Sequence, residues 1–450
     1  MPIHANMYMH DLDRNTLQTL KAIPGFTPLL KAYMKISAEQ QYYIQNMSCN
    51  LRLGEKQLPK YYNMLHPICA KLGIPVPELY VTLEGTPNAY TYGDTNPFIV
   101  VTTGLLETMP DHAVAAVLAH ECGHIACRHT LYHSLGRLIL NGGSSLLGLT
   151  DLVTAPLQAG FFYWMRCSEY SADRAAAICC GSADPVVEMC MRFAGFGKRS
   201  MEQANMEAFL EQARQYHQLM KESTWSKTLE VFMYSQATHP LTAVRAYESN
   251  EWQKTDAFRQ IVQYLQEDDR RFLPMPDSSR QYIGRQIGDV HPTMVGLGYE
   301  NVHLNRLTSA DPLTRMGQVT GISVAGQAQF SGCSWYPRDA EIVISYYQPL
   351  SQAEIQALHP GEIQIQTASR SLTGKPVQNV MQELTRAGFR NIRAEAFPGY
   401  SSSWSAKPGT VAQVLVDGLP GFEKGSWIPA DAQIQVQFYG YSNALPPTTP

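Results

Sequence analysis

Apolar residues form a nearly continuous run over 113–127, where Ala, Val, Leu and Ile surround a few polar side chains. A run this long exceeds an ordinary strand, so it predicts a helix that is buried on most of its surface. The segment 108–111 contains a proline and is typical of a helix start, which predicts that this helix begins just after Met109. The β-branched run 98–103 upstream of it predicts a short buried strand.

The second half of the chain contains an internal repeat. The pattern of residues 284–342 returns in 374–434, first at a shift of 90 positions and then at a shift of 92. Each copy combines a segment of helical periodicity, such as 377–387 before a glycine, with segments that alternate polar and apolar residues, such as 433–439. The repeat therefore predicts two tandem α+β modules, which we call module 1 and module 2.

The predicted apolar helix contains the sequence His120-Glu121-Cys122-Gly123-His124. One helical turn separates the two histidines, so both imidazoles face one point, and Glu121 lies where it can hold a metal-bound water. Zinc suits this pattern, because a catalytic zinc ion takes three protein ligands and keeps a fourth position open. The pattern therefore predicts one further ligand elsewhere in the chain.

Glu169 is the candidate for that ligand. It lies four residues before Asp173, so the two carboxylates share one face of a helix. Glu169 would complete the zinc site, and Asp173 would accept a hydrogen bond from the outer nitrogen of a ligand histidine. The alternative is that His120 and His124 are ordinary core histidines. Glu121 argues against it, because a carboxylate in so apolar a helix costs several kcal/mol to bury without a partner.

These motifs resemble the HtpX-like zinc metallopeptidases, a family that includes the CAAX prenyl proteases and soluble single-chain relatives. The resemblance extends from about Leu12 to Trp252, and the chain is most similar to the soluble members. Besides the metal-binding motifs, the resemblance is carried by Glu78-Leu79-Tyr80-Val81, Asn88-Ala89-Tyr90, the segment 100–106 and Thr238-His239-Pro240-Leu241.

The resemblance implies one Zn²⁺ ion per chain, bound by His120, His124 and Glu169, with Asp173 supporting a ligand histidine. It implies an endopeptidase that cleaves protein or peptide substrates through a zinc-activated water, without a covalent intermediate. Glu121 would act as general base toward the water and then as general acid toward the leaving amine.

Two residues of the following segment receive roles on the same grounds. His239 would stabilise the tetrahedral oxyanion, although a histidine before proline by itself indicates only a structured turn. Arg245 would support that loop or pair with an acid.

The strand 98–103 and the segment before it are expected to form the substrate cleft. In zincin folds an edge strand at this place pairs with extended substrate backbone, which assigns Val100, Val101 and Thr102 to substrate binding. Asn88 and Ala89 would line the same cleft. Composition alone indicates only buried strands, so this role rests on the resemblance.

The expected fold class is α+β, with a mainly helical, zincin-like metallopeptidase domain followed by the two modules. The order of elements in each module, and the sequence 407–411, resemble PASTA domains. The modules would present substrates, dock a protein or ligand partner, or control access to the cleft. The expected limits are 1–260 for the peptidase domain, 261–279 for a linker, 280–349 for module 1, 350–371 for a second linker, 372–442 for module 2 and 443–450 for a disordered tail.

Trp335 and Trp427 occupy equivalent positions in the two modules. One interpretation makes them an exposed binding pair. The favoured interpretation makes each tryptophan a plug for the core of its small module.

Composition narrows the classes of function. The 450 residues, 44% of them hydrophobic, suffice for two or three globular domains. A formal net charge of -4 without long basic runs argues against nucleic acid as a partner. Nine cysteines, with Cys179 and Cys180 adjacent, favour free thiols. The first residues lack a basic region followed by an apolar core, so we expect no secretory signal and a cytoplasmic location.

The apolar segment 138–165 carries one charged residue, Asp151. Glycines and a proline interrupt it, which favours a buried or cleft-lining hairpin over membrane association. Two alternatives to a cytoplasmic endopeptidase stay open. One is a membrane-associated, HtpX-like quality-control protease, and the other is a catalytically latent or silent scaffold whose repeats bind a partner. Glu121 argues against the scaffold, since a structural zinc site needs no general base.

Overall fold

The chain folds into two compact units of mixed helix and strand, which confirms the α+β class. The first unit comprises Met1–Arg306 and Pro312–Tyr347, and the second comprises Leu307–Asp311 and Gln348–Pro450. The computed structural model describes residues 2–22, 38–93, 96–133, 151–195, 200–222, 241–267, 270–309, 311, 313–397 and 407–440.

Helices dominate the N-terminal part of the first unit. Their bounds are α1 Asp11–Ala22, α2 Ala38–Cys49, α3 Pro59–Leu72, α4 Thr103–Thr108, α5 Asp111–Ala126, α6 Asp151–Cys180, α7 Asp184–Phe193, α8 Met206–Glu222, α9 Thr242–Trp252 and α10 Asp256–Gln266. The helix predicted from the apolar run is confirmed as α5, and every residue from 116 to 124 in it is buried. It begins directly after Pro110, as the proline pattern predicted.

A four-stranded sheet precedes α5. Its strands are β1 Leu51–Arg52, β2 Glu78–Thr82, β3 Ala89–Tyr92 and β4 Phe98–Thr102, in the order β1-β2-β4-β3. The expectation that 98–103 is an edge strand is wrong, because β4 pairs in parallel with β2 and antiparallel with β3. The backbone of Val100, Val101 and Thr102 is therefore used on both sides by the sheet itself.

Small residues let α5 and α6 approach closely. A Cβ atom added at Gly123 would lie 2.7 Å from the Cβ of Ala175 and 3.0 Å from the Cα of Ala172. Contacts this short do not occur between real side chains, so only glycine fits at this point of α5. The close approach brings the middle of α6, with Glu169 and Asp173, against the face of α5 that carries the histidines.

The N-terminal segment 2–10 connects several parts of the first unit. The Ile3 amide donates to the carbonyl of Lys71 in α3, and the His10 amide donates to Ser171 Oγ in α6. The Asn6 side chain donates to Asp277 Oδ1 over 2.7 Å. This segment leads into α1, which packs along α6.

Module 1 and the segment before it contain β5 Phe272–Met275, α11 Ser279–Tyr282, α12 Ile287–Gly296, β6 Val302–Leu307, β7 Val319–Val324, β8 Ser334–Pro337 and β9 Ile342–Tyr347. Module 2 and the segment before it contain α13 Gln352–Leu358, β10 Glu362–Gln364, α14 Val377–Ala387, β11 Asn391–Ala396, β12 Val411–Val416, β13 Leu419–Pro420, β14 Trp427–Pro429 and β15 Gln433–Phe438. The helix predicted over 377–387 and the strand predicted over 433–439 are confirmed as α14 and β15.

The same backbone hydrogen bonds recur in both modules. The Gly284 amide donates to the Val319 carbonyl, and the Gly374 amide donates to the Val411 carbonyl, each over 2.8 Å. The pairing of β5 with β8 likewise recurs as the pairing of β10 with β14. Since β5 and β10 lie in the segments 261–279 and 350–371, both segments expected to be linkers contain regular structure. The domain limits stay a prediction, as does the resemblance to PASTA domains.

Each module tryptophan packs against an aromatic ring and is neither fully buried nor fully exposed. Trp335 meets Tyr264 edge to face, with ring centroids 5.5 Å apart. Trp427 stacks on His359 at 4.1 Å and an interplanar angle of 4°. Both side chains are half-buried, and the two interpretations of the tryptophans stay predictions.

Within the described ranges, no helix has both the length and the hydropathy that a membrane crossing requires. Residues 151–165 of the apolar segment belong to α6. The rest of the segment predicted to form a hairpin, and the predicted tail 443–450, lie outside the described residues.

We expect Gly123→Ala to force α5 and α6 apart by a few tenths of an ångström. Overpacking of a close contact costs about 1–3 kcal/mol, and the shift would also move Glu169 away from the histidines. Guanidinium unfolding of the full chain, together with zinc binding, measures both effects.

Gly288→Ala is the matched control, because a Cβ at this helical position meets nothing within 4 Å. We expect this variant to bind zinc like the wild type and to be equally stable or slightly more stable toward unfolding. Equal effects of the two substitutions would contradict the role of close packing.

Candidate metal centre

The two histidines of α5 face each other across one helical turn. His120 and His124 are both buried, and their Nε2 atoms lie 3.2 Å apart. The rings stand nearly perpendicular, at 87°, with centroids 4.8 Å apart. The helical spacing predicted from the sequence thus places both Nε2 atoms at one point.

Glu169 brings a carboxylate to the same point from α6. Its Oε2 lies 3.4 Å from His120 Nε2, and its Oε1 lies 3.3 Å from His124 Nε2. Donors held about 2.0–2.1 Å from a tetrahedral ion are about 3.3–3.4 Å from one another. The observed spacings match this value, so the three side chains fit a shared zinc ion, and they form one of two groups with metal-ligand geometry among the described residues.

Buried charge at this point also favours a cation. Glu121, Glu169 and Asp173 are buried carboxylates, and Arg245 on α9 is a buried guanidinium. Counted formally, these four side chains carry a charge of -2, which a divalent ion would balance.

Asp173 and Arg245 form a network behind His120. The His120 Nδ1 atom lies 2.9 Å from Asp173 Oδ1, while Arg245 donates to both oxygens of Asp173 over 2.6 and 2.7 Å. Arg245 also pairs with Glu169 Oε2 at 3.0 Å. Arg245 therefore pairs with acids, which was one of the two roles expected for it.

The network shifts the protonation of these groups. Burial by itself raises the pKa of Asp173, but the charge and hydrogen bonds of Arg245 outweigh it, so the pKa is lowered. Burial by itself lowers the pKa of His120, but hydrogen bonds to Asp173 and Glu169 raise it to about 9. Burial lowers the pKa of His124 to about 4. Without a metal, a proton on His120 thus supplies part of the missing positive charge.

Glu121 faces the sheet. Its carboxylate accepts a hydrogen bond from the Thr91 hydroxyl on β3. The Thr91 side chain is itself buried, so β3 lies directly beside this carboxylate. The motif-based prediction missed Thr91, because a single threonine in a strand carries no pattern that indicates a long-range partner.

A second group of histidines lies behind His124. The Nδ1 atoms of His124 and His129 are 2.9 Å apart, and His129 Nε2 lies 2.9 Å from Asp13 Oδ2 on α1. His133 Nε2 lies 2.8 Å from Ser168 Oγ. The sequence analysis missed His129, His133 and Asp13, although the histidines follow the apolar helix at short spacing and could have been noticed.

The remaining expected site residues are placed as follows. Asn88 lies directly before β3, and Ala89 is the first residue of that strand. Thr102 is the N-cap of α4, and its hydroxyl accepts hydrogen bonds from the backbone amides of Leu105 and Asn88. Thr102 thus fixes the position of Asn88. His239 lies outside the described residues.

Comparison with known proteins gives a consistent match. Residues 56–253 match the model of peptidase family M48. The plastoglobule-localized metallopeptidase 48, chloroplastic, of Arabidopsis thaliana is 30% identical over 262 residues, which cover 58% of this chain and 76% of that protein.

Among solved structures, the crystal structure of S. mikatae Ste24p is similar at 16% sequence identity and a TM-score of 0.27. The match covers 53% of this chain and 64% of that one.

We expect Arg245→Met to destabilise the metal-free protein strongly. Removing one partner of a buried ion pair costs about 3–5 kcal/mol, because the carboxylates of Asp173 and Glu169 lose their positive partner. Thermal unfolding of the full chain, with and without zinc, measures the loss, and bound zinc should restore part of it.

Arg214→Met provides the comparison, since Arg214 is exposed and pairs with Glu207 and Glu211 on the surface of α8. We expect this substitution to leave unfolding unchanged. Similar losses for both variants would show that the buried network has no special role.

Proposed function

The chain belongs to peptidase family M48, and we propose that it is a zinc-dependent endopeptidase whose metal ligands are His120, His124 and Glu169. One observation supports this most directly: the three donor atoms have the mutual distances expected of ligands to one tetrahedral ion. A metallopeptidase of this family acts on protein or peptide substrates.

When bound, zinc supplies Lewis acidity that lowers the pKa of water and polarises a peptide carbonyl. The donor set of two imidazoles and one carboxylate is typical of catalytic zinc sites that keep one position open. We assign one ion per chain. Asp173 orients His120 from behind, and Arg245 holds Asp173 in place.

Glu121 is the proposed general base and acid. It follows His120 directly in α5, so its carboxylate lies beside the ligand face and takes a proton from the attacking water. The hydrogen bond from Thr91 fixes the orientation of the carboxylate. The same carboxylate then delivers the proton to the leaving amine, so peptide hydrolysis needs no covalent intermediate.

His239 is the proposed donor to the oxyanion. The proposal rests on the resemblance of Thr238-His239-Pro240-Leu241 to the corresponding motif of related enzymes. A neighbouring observation supports it, because α9 begins at Thr242 and carries Arg245 into the metal network. His239 therefore lies three positions along the chain before a helix that contributes to the metal network.

For the substrate we propose a position along β3, not along β4. Thr91 on β3 contacts the general base, and Asn88 and Ala89 lie at the beginning of the same strand. A peptide running beside this strand would be recognised mainly through its backbone, so cleavage would tolerate many sequences.

Modules 1 and 2 are proposed to present substrates or to bind a protein or ligand partner. The cytoplasmic location expected from the sequence also stays a prediction. No observation favours the silent scaffold or the membrane-associated protease.

Cleavage of casein by the purified full chain tests the proposal. Casein is unfolded and diverse in sequence, so it suits an enzyme that recognises backbone. We expect wild-type protein loaded with zinc to cut it, and we expect Glu121→Gln to lose at least about 100-fold in rate, because the amide cannot accept the proton. A chelator should abolish cleavage, and added zinc should restore it.

Glu251→Gln serves as the control, since Glu251 is an exposed residue that pairs with Lys254. This variant should retain wild-type activity. Cleavage that survives both the chelator and Glu121→Gln would overturn the proposed mechanism.

A further inference from the structure

The two proposed ligand histidines differ in what holds their outer nitrogen. His120 Nδ1 faces the carboxylate of Asp173, which is an obligate acceptor when ionised. His124 Nδ1 faces another imidazole, the Nδ1 atom of His129, at 2.9 Å. An imidazole can either donate or accept, so the tautomer of His124 depends on what determines the tautomer of His129.

Asp13 determines the tautomer of His129. This carboxylate is completely buried, and it receives hydrogen bonds from three directions. The Trp164 indole donates to Oδ1 over 2.9 Å, and the Ser171 hydroxyl donates to Oδ2 over 2.6 Å. The His129 Nε2 atom lies 2.9 Å from the same Oδ2. Burial by itself raises the pKa of Asp13, but the interaction with His129 and the three hydrogen bonds outweigh it and lower the pKa.

The direction of each hydrogen bond follows from this arrangement. An ionised Asp13 can only accept, so His129 carries its hydrogen on Nε2. With its single ring hydrogen on Nε2, His129 has a lone pair on Nδ1, and this lone pair accepts the hydrogen bond from His124 Nδ1 at 2.9 Å. His124 therefore carries its hydrogen on Nδ1, and its Nε2 lone pair is free to face Glu169 and His120.

We propose that Asp13 and His129 are positioning residues that hold His124 in its metal-binding tautomer and so set the zinc affinity of the site. This inference rests on the proposed function, since it assumes that His124 binds the metal. Neither residue touches the metal or substrate. Both act through His124, across a chain of hydrogen bonds that begins on α1.

A second metal site is the alternative use of these side chains, because His124, His129 and His133 also have metal-ligand spacing. The hydrogen bonds argue against it. The Nδ1 atoms of His124 and His129 face each other, and His129 Nε2 is used by Asp13. A metal ion at this place would have to break the hydrogen bonds that join His124, His129 and Asp13.

Asp13→Asn is the decisive variant, because the side chain keeps its shape but gains a donor. If the side-chain NH2 of the new asparagine faces Trp164, it lies opposite the indole N–H, and the two donors repel each other. If it faces His129 instead, His129 must take the opposite tautomer, which forces the hydrogen of His124 onto Nε2. We therefore expect zinc affinity to fall about 10- to 100-fold, as for loss of other groups that orient metal ligands.

The measurement is competition for zinc between the full-length apoprotein and a chromophoric chelator. The absorption spectrum of the Co²⁺-loaded protein gives a second readout, since it reports directly on the ligand environment. Thermal unfolding of the apoprotein is recorded in parallel, so that a loss of stability is not mistaken for a loss of affinity.

Trp164→Phe combined with Asp13→Asn provides a rescue. Removing the indole hydrogen lets the Asn amide face that side, which returns the amide oxygen to His129 and restores the original tautomer. We expect zinc affinity to recover although the double variant is less stable than either single one. Asp277→Asn is the matched control, since this buried carboxyl contacts Asn6 and Arg285 and no histidine of the chain of hydrogen bonds.

His129 offers an independent pair of variants if Asp13→Asn folds poorly. In His129→Asn the amide oxygen can accept from His124 near the place of Nδ1, whereas His129→Leu has no acceptor. We expect His129→Asn to retain clearly more zinc affinity than His129→Leu.

The outcomes separate the inference from the function on which it rests. If His124→Gln leaves zinc binding unchanged, the proposed ligand set is wrong. If His124→Gln abolishes binding while Asp13→Asn binds zinc like the wild type, only the positioning role is wrong. Loss of affinity that merely parallels apoprotein stability, without rescue by Trp164→Phe, also overturns the positioning role.

Discussion

The close approach of α5 and α6 is the constraint on which the site depends. One helix carries the two histidines and the proposed general base, and the other carries Glu169, Asp173 and Ser171. Gly123 and the alanines opposite it hold these helices at a distance that larger side chains would prevent. Because the contacts of Glu169 and Asp173 with the two histidines span this interface, the packing of small apolar residues sets the geometry of these polar ones.

The contact between α5 and α6 also concentrates negative charge in a buried place. Carboxylates enter a buried interface from both helices, and Arg245 neutralises only part of their charge. A fold of this kind is stable when the remaining charge is met by protons or by a cation. The affinity for metal thus follows from how the protein folds, since the helices that form the core also concentrate negative charge at one point.

The sequence predicted local features well and long-range ones poorly. Helical spacing placed both histidines on one face, and the pattern of 377–387 predicted α14 residue by residue. Strand order was different: the run 98–103 gave no indication whether β4 would lie inside the sheet or at its edge. Thr91 and Asp13 were also missed, because their partners lie 30 and 116 positions away. Periodicity describes one element at a time, whereas these contacts depend on how elements pack.

The N-terminal segment has a consequence for the smallest part of this chain that could work as an enzyme. The family match begins at residue 56, but the carboxylate behind His129 belongs to α1, and Asn6 ties the same segment to Asp277 of module 1. A gene fragment trimmed to the matched region would encode all three proposed metal ligands and yet omit Asp13, the carboxylate that His129 contacts. The contacts that support the proposed metal site therefore begin N-terminal to the region that the family model matches.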